Sequence, residues 1–361
     1  MQRNIGIDIA KIAAMFGVIV IHNLGQGGLL YSPDLTMTKF IVLWILENVG
    51  IVAVNIFALT TGYLMINKKI KFIRIWEVAM QASFWAPAMA IILFATGLVN
   101  PTLDMVVHSV LPIIFKQYWY VNAYIGAMLF APFINSAFEK LSQKFLLKVL
   151  ALVIIVSITI GFIGKLFLSG GYSSLWLLTL YAIGGFIRKY IDITKINKRS
   201  MLFVAMSMII VSTLGDVTVY KLGIGAVALP HLLSYISPLV FVQSLAVFVL
   251  FLKIKIHSNR LTEAIVFVAP LTFGAYLIDT SIFYNYLDKK FEWLLDYNLV
   301  VVVLLLIIIS IGMFLGFIIL EYVRKSLFDR LHINLFLEKT YFFVSGLLDN
   351  FLDKLVYAFV K

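Results

Sequence analysis

Cysteine is absent from the 361 residues. That excludes disulfide frameworks, iron–sulfur clusters and thiolate chemistry. Charge is scarce: Asp, Glu, Lys and Arg make up 13% of the chain, against about 25% in soluble domains. Acids are the scarcer sign, 18 against 29 basic residues, for a net charge of +11. The five histidines (His22, His108, His231, His257 and His332) show no HxxxH or HxxE spacing, so no metal site is expected. No internal repeat stands out, and no stretch has the composition of a soluble domain.

What fills the chain is apolar sequence. Hydrophobic residues account for 62%, and the mean hydropathy is +1.01. Ten apolar segments are predicted, near 5–24, 40–66, 75–98, 118–138, 147–168, 174–191, 201–220, 228–252, 263–286 and 298–322. Each suits about 30 Å of hydrocarbon. Backbone groups inside a bilayer must satisfy one another, so these segments read as helices of an all-α, multi-pass membrane protein. The first follows Arg3 as a signal peptide would, but no small-x-small cleavage site follows His22. It is expected to stay attached.

The basic residues alternate between loops. One set of loops holds only Lys39, Lys116, Lys165, Lys221, Lys289 and Lys290; the rest of the 29 fall on the other side. By the positive-inside rule, both termini face the cytoplasm of a cell with this protein in its plasma or inner membrane. The even helix count agrees. This distribution accounts for the +11 charge without nucleic acid. Residues 1–325 are expected to form the membrane domain and 326–361 an amphipathic cytoplasmic tail on the bilayer surface. Phe328, Leu331, Leu335 and Phe336 lean to one side of it.

Ionisable groups inside spans usually face a cavity or a partner. Asp8 and Lys11 open the first span and His22 closes it. At 1.5 Å and 100° per residue, Lys11 and His22 share a face about 16 Å apart. Asp8, three residues before Lys11, pairs with it structurally. The expected topology puts His22, Glu47, Asp279 and the edge of YWYVNAY (118–124) toward the outer leaflet. Lys11 and Arg74 lie toward the inner one.

His22 is the candidate general base, because imidazole exchanges protons near neutral pH. Asp279 or Glu47 would orient it and stabilise its charged form. The plainer alternatives are an interfacial histidine capping its helix, an Asp279 bonded to Tyr276 or Thr280, and a Glu47 paired with Lys39 or buried neutral. The loop holding Lys68, Lys69, Lys71 and Arg74 serves either topology or the phosphates of a cytosolic cofactor. Trp119 and Tyr120 fit an aromatic belt. Such a belt does not need the amide of Asn122, and Asn55 lies near the middle of the second span.

These motifs resemble the acyltransferase-3 family of bacterial membrane acyltransferases. IDIAK (7–11), ten residues and then His22 resemble its opening motif, with Lys11 where arginine is usual. VNIFALTTGYLM (54–65), KFIR (71–74), YWYVNAYIGAMLFAPFIN (118–135) and LTFGAYLIDTSIF (271–283) follow in the family's order. Asp279 stands where the family commonly has histidine, and Lys71 replaces an arginine. The resemblance implies ten core helices and transfer of an acyl group, often acetyl, from acyl-coenzyme A to a hydroxyl of a cell-envelope or exported glycan. On this reading the coenzyme docks against Lys11, Lys71 and Arg74, and Trp119, Tyr120, Asn122 and Asn55 are the candidate substrate or oxyanion contacts. The resemblance fits the stand-alone form, without an added extracytoplasmic domain. An acyl-histidine relay stays open beside direct transfer. The acyl group, the acceptor sugar and the oligomeric state are not read from the sequence.

Two other readings remain. In a proton-coupled transporter or lipid-linked glycan flippase, His22, Asp279 and Glu47 form a proton relay. A non-catalytic component of a glycan assembly complex would fit the departure at Asp279.

Overall fold

The computed structural model describes residues 3–33, 35–163, 168–224, 229 and 232–360. Lys165, His231, Lys361 and residue 228, where the eighth predicted segment begins, lie outside the described residues. Among the described residues the chain is helical and contains no strand. The helices are α1 (Ile5–Gly25), α2 (Met37–Gly50), α3 (Ala53–Met65), α4 (Ile73–Ala95), α5 (Leu103–Val110), α6 (Trp119–Lys140), α7 (Gln143–Val156) and α8 (Ser174–Tyr190). They continue with α9 (Lys198–Lys221), α10 (Pro238–Leu252), α11 (Asn259–Val268), α12 (Thr272–Asp279), α13 (Ile282–Tyr286), α14 (Leu299–Arg330) and α15 (Ile333–Val360).

Local sequence sets where the spans begin. Asn4, Thr36, Ser142, Ser173, Asn197, Ser258 and Asn298 each precede a helix and accept a bond from an N–H of its first turn. Such caps are worth about 1 kcal/mol each. Eight stretches among the described residues are long and apolar enough to cross a membrane. Two are composite: α2 and α3 form one span of 29 residues broken near residue 51, and α11, a 3-10 turn at Ala269–Leu271 and α12 form another. The helices at the sixth and eighth predicted segments, α8 and α10, have 17 and 15 residues. Both are shorter than the roughly 20 that a straight crossing requires.

The first two spans form the centre of the bundle, while α7, α9 and α14 are the least buried. Lipid tails are as apolar as leucine, so helices in a bilayer associate through close packing at small residues. Helices α3 and α8 do this at Gly62 and Gly184. A Cβ on Gly62 would fall 1.8 Å from the Tyr181 carbonyl oxygen, and one on Gly184 would fall 2.1 Å from that of Leu59.

Side chains tie the helix ends into two groups. At one end, Asn4 Nδ2 donates to the Leu252 carbonyl at 3.4 Å, and Asn135 Nδ2 donates to those of Met65 and Lys68 at 3.1 and 2.9 Å. Lys253 Nζ donates to the Ile193 carbonyl at 2.6 Å, and Lys189 Nζ to that of Phe138. These are the ends beside the basic loops. At the other end, Lys39 Nζ meets the Leu295 carbonyl at 2.5 Å and Gln117 Nε2 meets that of Thr280 at 3.4 Å. Helix α14 runs past residue 325 without a break and ends at Arg330. The tail beyond turns at His332, whose φ is 53°, and continues as the single helix α15.

Candidate active site

His22 lies in the last turn of α1, and Asp279 is the last residue of α12. Their side chains meet: His22 Nδ1 and Asp279 Oδ2 are 2.6 Å apart. Asp279 is fully buried, whereas the His22 side chain is 20% exposed. Against a carboxylate, which only accepts hydrogen bonds, Nδ1 is the donor of this contact. The Tyr284 ring packs edge-on against the imidazole at 4.8 Å. The neighbouring Asn23 donates to Ser310 Oγ at 3.0 Å and anchors this end of α1 to α14. Thr280 is engaged elsewhere: its hydroxyl donates to the Tyr276 carbonyl at 2.7 Å. Asp279 Oδ1 has no partner among the described residues.

A largely apolar slot of about 310 Å³ runs between α1, α3, α4, α6 and α12. Lys11 is in its lining, as are Val18, Tyr120 and Tyr276. Val18 is one turn before His22 and Tyr276 one turn before Asp279, so the slot reaches to within a helical turn of the pair. Two cavities adjoin it at the basic end. One of about 430 Å³ holds Arg3, Lys11, Lys68 and Arg188, and shares Lys11 and Leu64 with the slot. The other, a vestibule of about 630 Å³, holds Lys71, Arg74, Arg324 and Lys325, and shares Pro270 with it. Lys11 therefore lies apart from Lys71 and Arg74, in a different cavity beside the same slot.

The remaining predicted residues separate by what they bond. Asp8 meets Arg3 at 2.6 Å and Lys11 only at 4.0 Å, so its nearer partner is Arg3. Glu47 is buried on α2 and has no bond to His22; the carboxylate on the imidazole is that of Asp279. Lys39 is bonded to the Leu295 carbonyl instead of to Glu47, and Glu47 Oε2 has no partner among the described residues. Asn55 is wholly buried. It donates to the Tyr235 carbonyl and Ser244 Oγ, and accepts from Trp176 Nε1, all within 3.1 Å. Asn122 Nδ2 donates to the Ile113 carbonyl at 2.6 Å. Tyr120 lines the slot and packs against Tyr276 at 5.6 Å. Trp119 stacks on Tyr235 at 5.7 Å and contacts Tyr172 at 4.3 Å.

Compared with known families, the chain matches the acyltransferase domain over residues 4–322. It belongs to the acyltransferase-3 family. Neither a curated protein nor a solved structure matches it. The matched segment of this membrane acyltransferase contains the His22–Asp279 pair and the whole slot.

A polar cluster beside the vestibule of the acyltransferase is absent from the sequence expectations. Glu321 and Arg324 pair near the basic end of α14, with Gln81 and Trp85 of α4 on the same carboxylate. The signal was there, an acid three residues before an arginine in a charge-poor helix. Arg324 also fits the positive-inside charge of the basic end, which hides the pairing. The Tyr284 contact with His22 leaves no spacing to read in the sequence. Among the described residues, no group of three or more His, Asp or Glu side chains is placed to hold a metal ion.

Proposed function

We propose that this acyltransferase moves an acyl group, most simply acetyl, from acyl-coenzyme A to a hydroxyl of a cell-envelope glycan. The observation that carries the reading is the 2.6 Å His22–Asp279 contact one turn beyond an apolar slot whose opposite end is basic. The nucleotide end of the donor docks at the basic end, against Lys71 and Arg74 in the vestibule and Lys11 at the slot. That end faces the cytoplasm, as do both termini. The pantetheine arm lies in the slot and crosses the roughly 16 Å from Lys11 to His22. The glycan approaches from the opposite side of the membrane.

In the chemical step, the glycan hydroxyl oxygen attacks the thioester carbonyl carbon and its proton passes to His22 Nε2. Asp279 stabilises the imidazolium through Nδ1, as the acid of a triad does. Tyr120, or the second N–H of Asn122, donates to the developing oxyanion. The C–S bond then breaks, and the thiolate leaves with the proton returned by the imidazolium. The products are an O-acyl glycan and free coenzyme A, with no covalent enzyme intermediate.

The test is release of free coenzyme A from acetyl-coenzyme A by purified protein and a crude envelope-glycan extract, compared with His22→Ala. Release that requires both acceptor and His22 is the expected result. Full release in the folded variant would remove His22 as the base. Absence of coenzyme A binding in calorimetry would overturn the donor assignment.

A further inference from the structure

The vestibule contains a group that the acyl-transfer step does not use. Glu321 is 2% exposed. Its carboxylate accepts four bonds: from Gln81 Nε2 at 3.0 Å, Trp85 Nε1 at 2.8 Å, Arg324 Nε at 2.9 Å and Arg324 Nη2 at 2.6 Å. Gly274 of α12 closes over it; a Cβ there would lie 2.2 Å from Glu321 Oε2. Removing such a pair from water is costly, and apolar residues of the same volume often hold a fold equally well. What this pair supplies is orientation. Two guanidinium nitrogens are held by Glu321, and the group lies 4.8 Å from the Phe328 ring. The third nitrogen, Nη1, has no partner among the described residues, and the side chain is 12% exposed at the vestibule.

Lys71, Arg74 and Lys325 line the same cavity, against the acids Glu77 and Glu338. Helix α15 forms one wall, fixed by Trp76 Nε1 donating to the Leu337 carbonyl at 3.1 Å. A pre-oriented guanidinium among further cations matches a phosphate, whose oxygens suit the arginine N–H geometry. We infer that Arg324, braced by Glu321, is a phosphate-binding residue of the donor site and takes a phosphoryl group of the coenzyme A thioester through Nη1. The inference rests on the acyl-coenzyme A reading above. It adds a residue two positions beyond the family-matched segment, and it makes Glu321 a positioning residue.

The test is calorimetric titration of the detergent-purified full chain with unacylated coenzyme A. Four proteins are compared: wild type, Arg324→Lys, the double variant Glu321→Gln/Arg324→Gln, and Lys198→Ala, which removes an exposed charge at the start of α9. The double variant leaves no unpaired buried charge, and gel filtration confirms its fold. Its Kd for coenzyme A is expected to rise about tenfold or more. Arg324→Lys should fall between it and wild type, with Lys198→Ala unchanged. A folded double variant within about twofold of wild type would reduce Arg324 to a structural ion pair while leaving the donor reading intact. An equal loss in Lys198→Ala would assign the effect to general surface potential and overturn the inference. A lipid phosphate has the same chemistry, so the titration is repeated with phosphatidylglycerol. Loss of lipid binding alone would make this a lipid site. A wild type that does not bind coenzyme A would overturn the donor reading and this inference together.

Discussion

Replacing Asp279 with Asn keeps the shape of the side chain and removes the charge behind His22. The bond it alters is 2.6 Å long and lies on a carboxylate with no solvent exposure. Hydrogen bonds to charged groups contribute about 1.5–3 kcal/mol. At about 1.4 kcal/mol per tenfold in rate, kcat should fall roughly 10- to 150-fold. The amide also offers an N–H to Nδ1, which favours the tautomer with its proton on Nε2 and removes the base's lone pair. His22→Ala should cost more, about 10²- to 10⁴-fold, the range of a lost general base. The two losses should not add, because Asp279 acts through His22. The double variant should match His22→Ala. The assay is thiol release from acetyl-coenzyme A, and the absence of cysteine means that the protein adds no thiol of its own to the signal. Asp279→Asn within about threefold of wild type would refute the reasoning, as would a double variant slower than His22→Ala.

Gly62→Ala places a methyl group 1.8 Å from the Tyr181 carbonyl oxygen. It should destabilise the α3–α8 contact by about 1–3 kcal/mol, read as a lower Tm in detergent; an unchanged Tm would show that the helices are not this close. Asn55→Ala strips partners from Trp176, Ser244 and the Tyr235 carbonyl, each orphaned group costing about 1–3 kcal/mol. A lower Tm is expected, whereas lost activity at full Tm would make Asn55 a substrate contact instead. Trp119→Ala removes the stacking on Tyr235 and Tyr172. It should raise the acceptor KM about two- to tenfold and leave the donor KM unchanged; equal shifts in both would count against an acceptor role.

The membrane class and the order of most spans were legible in the sequence. They depend on a local quantity, hydropathy over about 20 residues, whereas the caps at Asn4, Ser173 and Asn298 set the helix starts to within a residue. The expected similar depth of His22 and Asp279, obtained by converting position into depth through the rise per residue, agrees with their 2.6 Å contact. Depth does not say which helix faces which. Rotation and neighbours are decided where backbones approach most closely, as at Gly62 and Gly184. Tertiary packing therefore selected Asp279, 257 residues away, as the partner of His22, and left Glu47 without a bond to it. It committed Asn55 to three neighbours in the core. It placed Lys11 in a different cavity from Lys71 and Arg74. It also brought Gln81 and Trp85 onto Glu321, a contact across 240 and 236 residues that no helical period encodes.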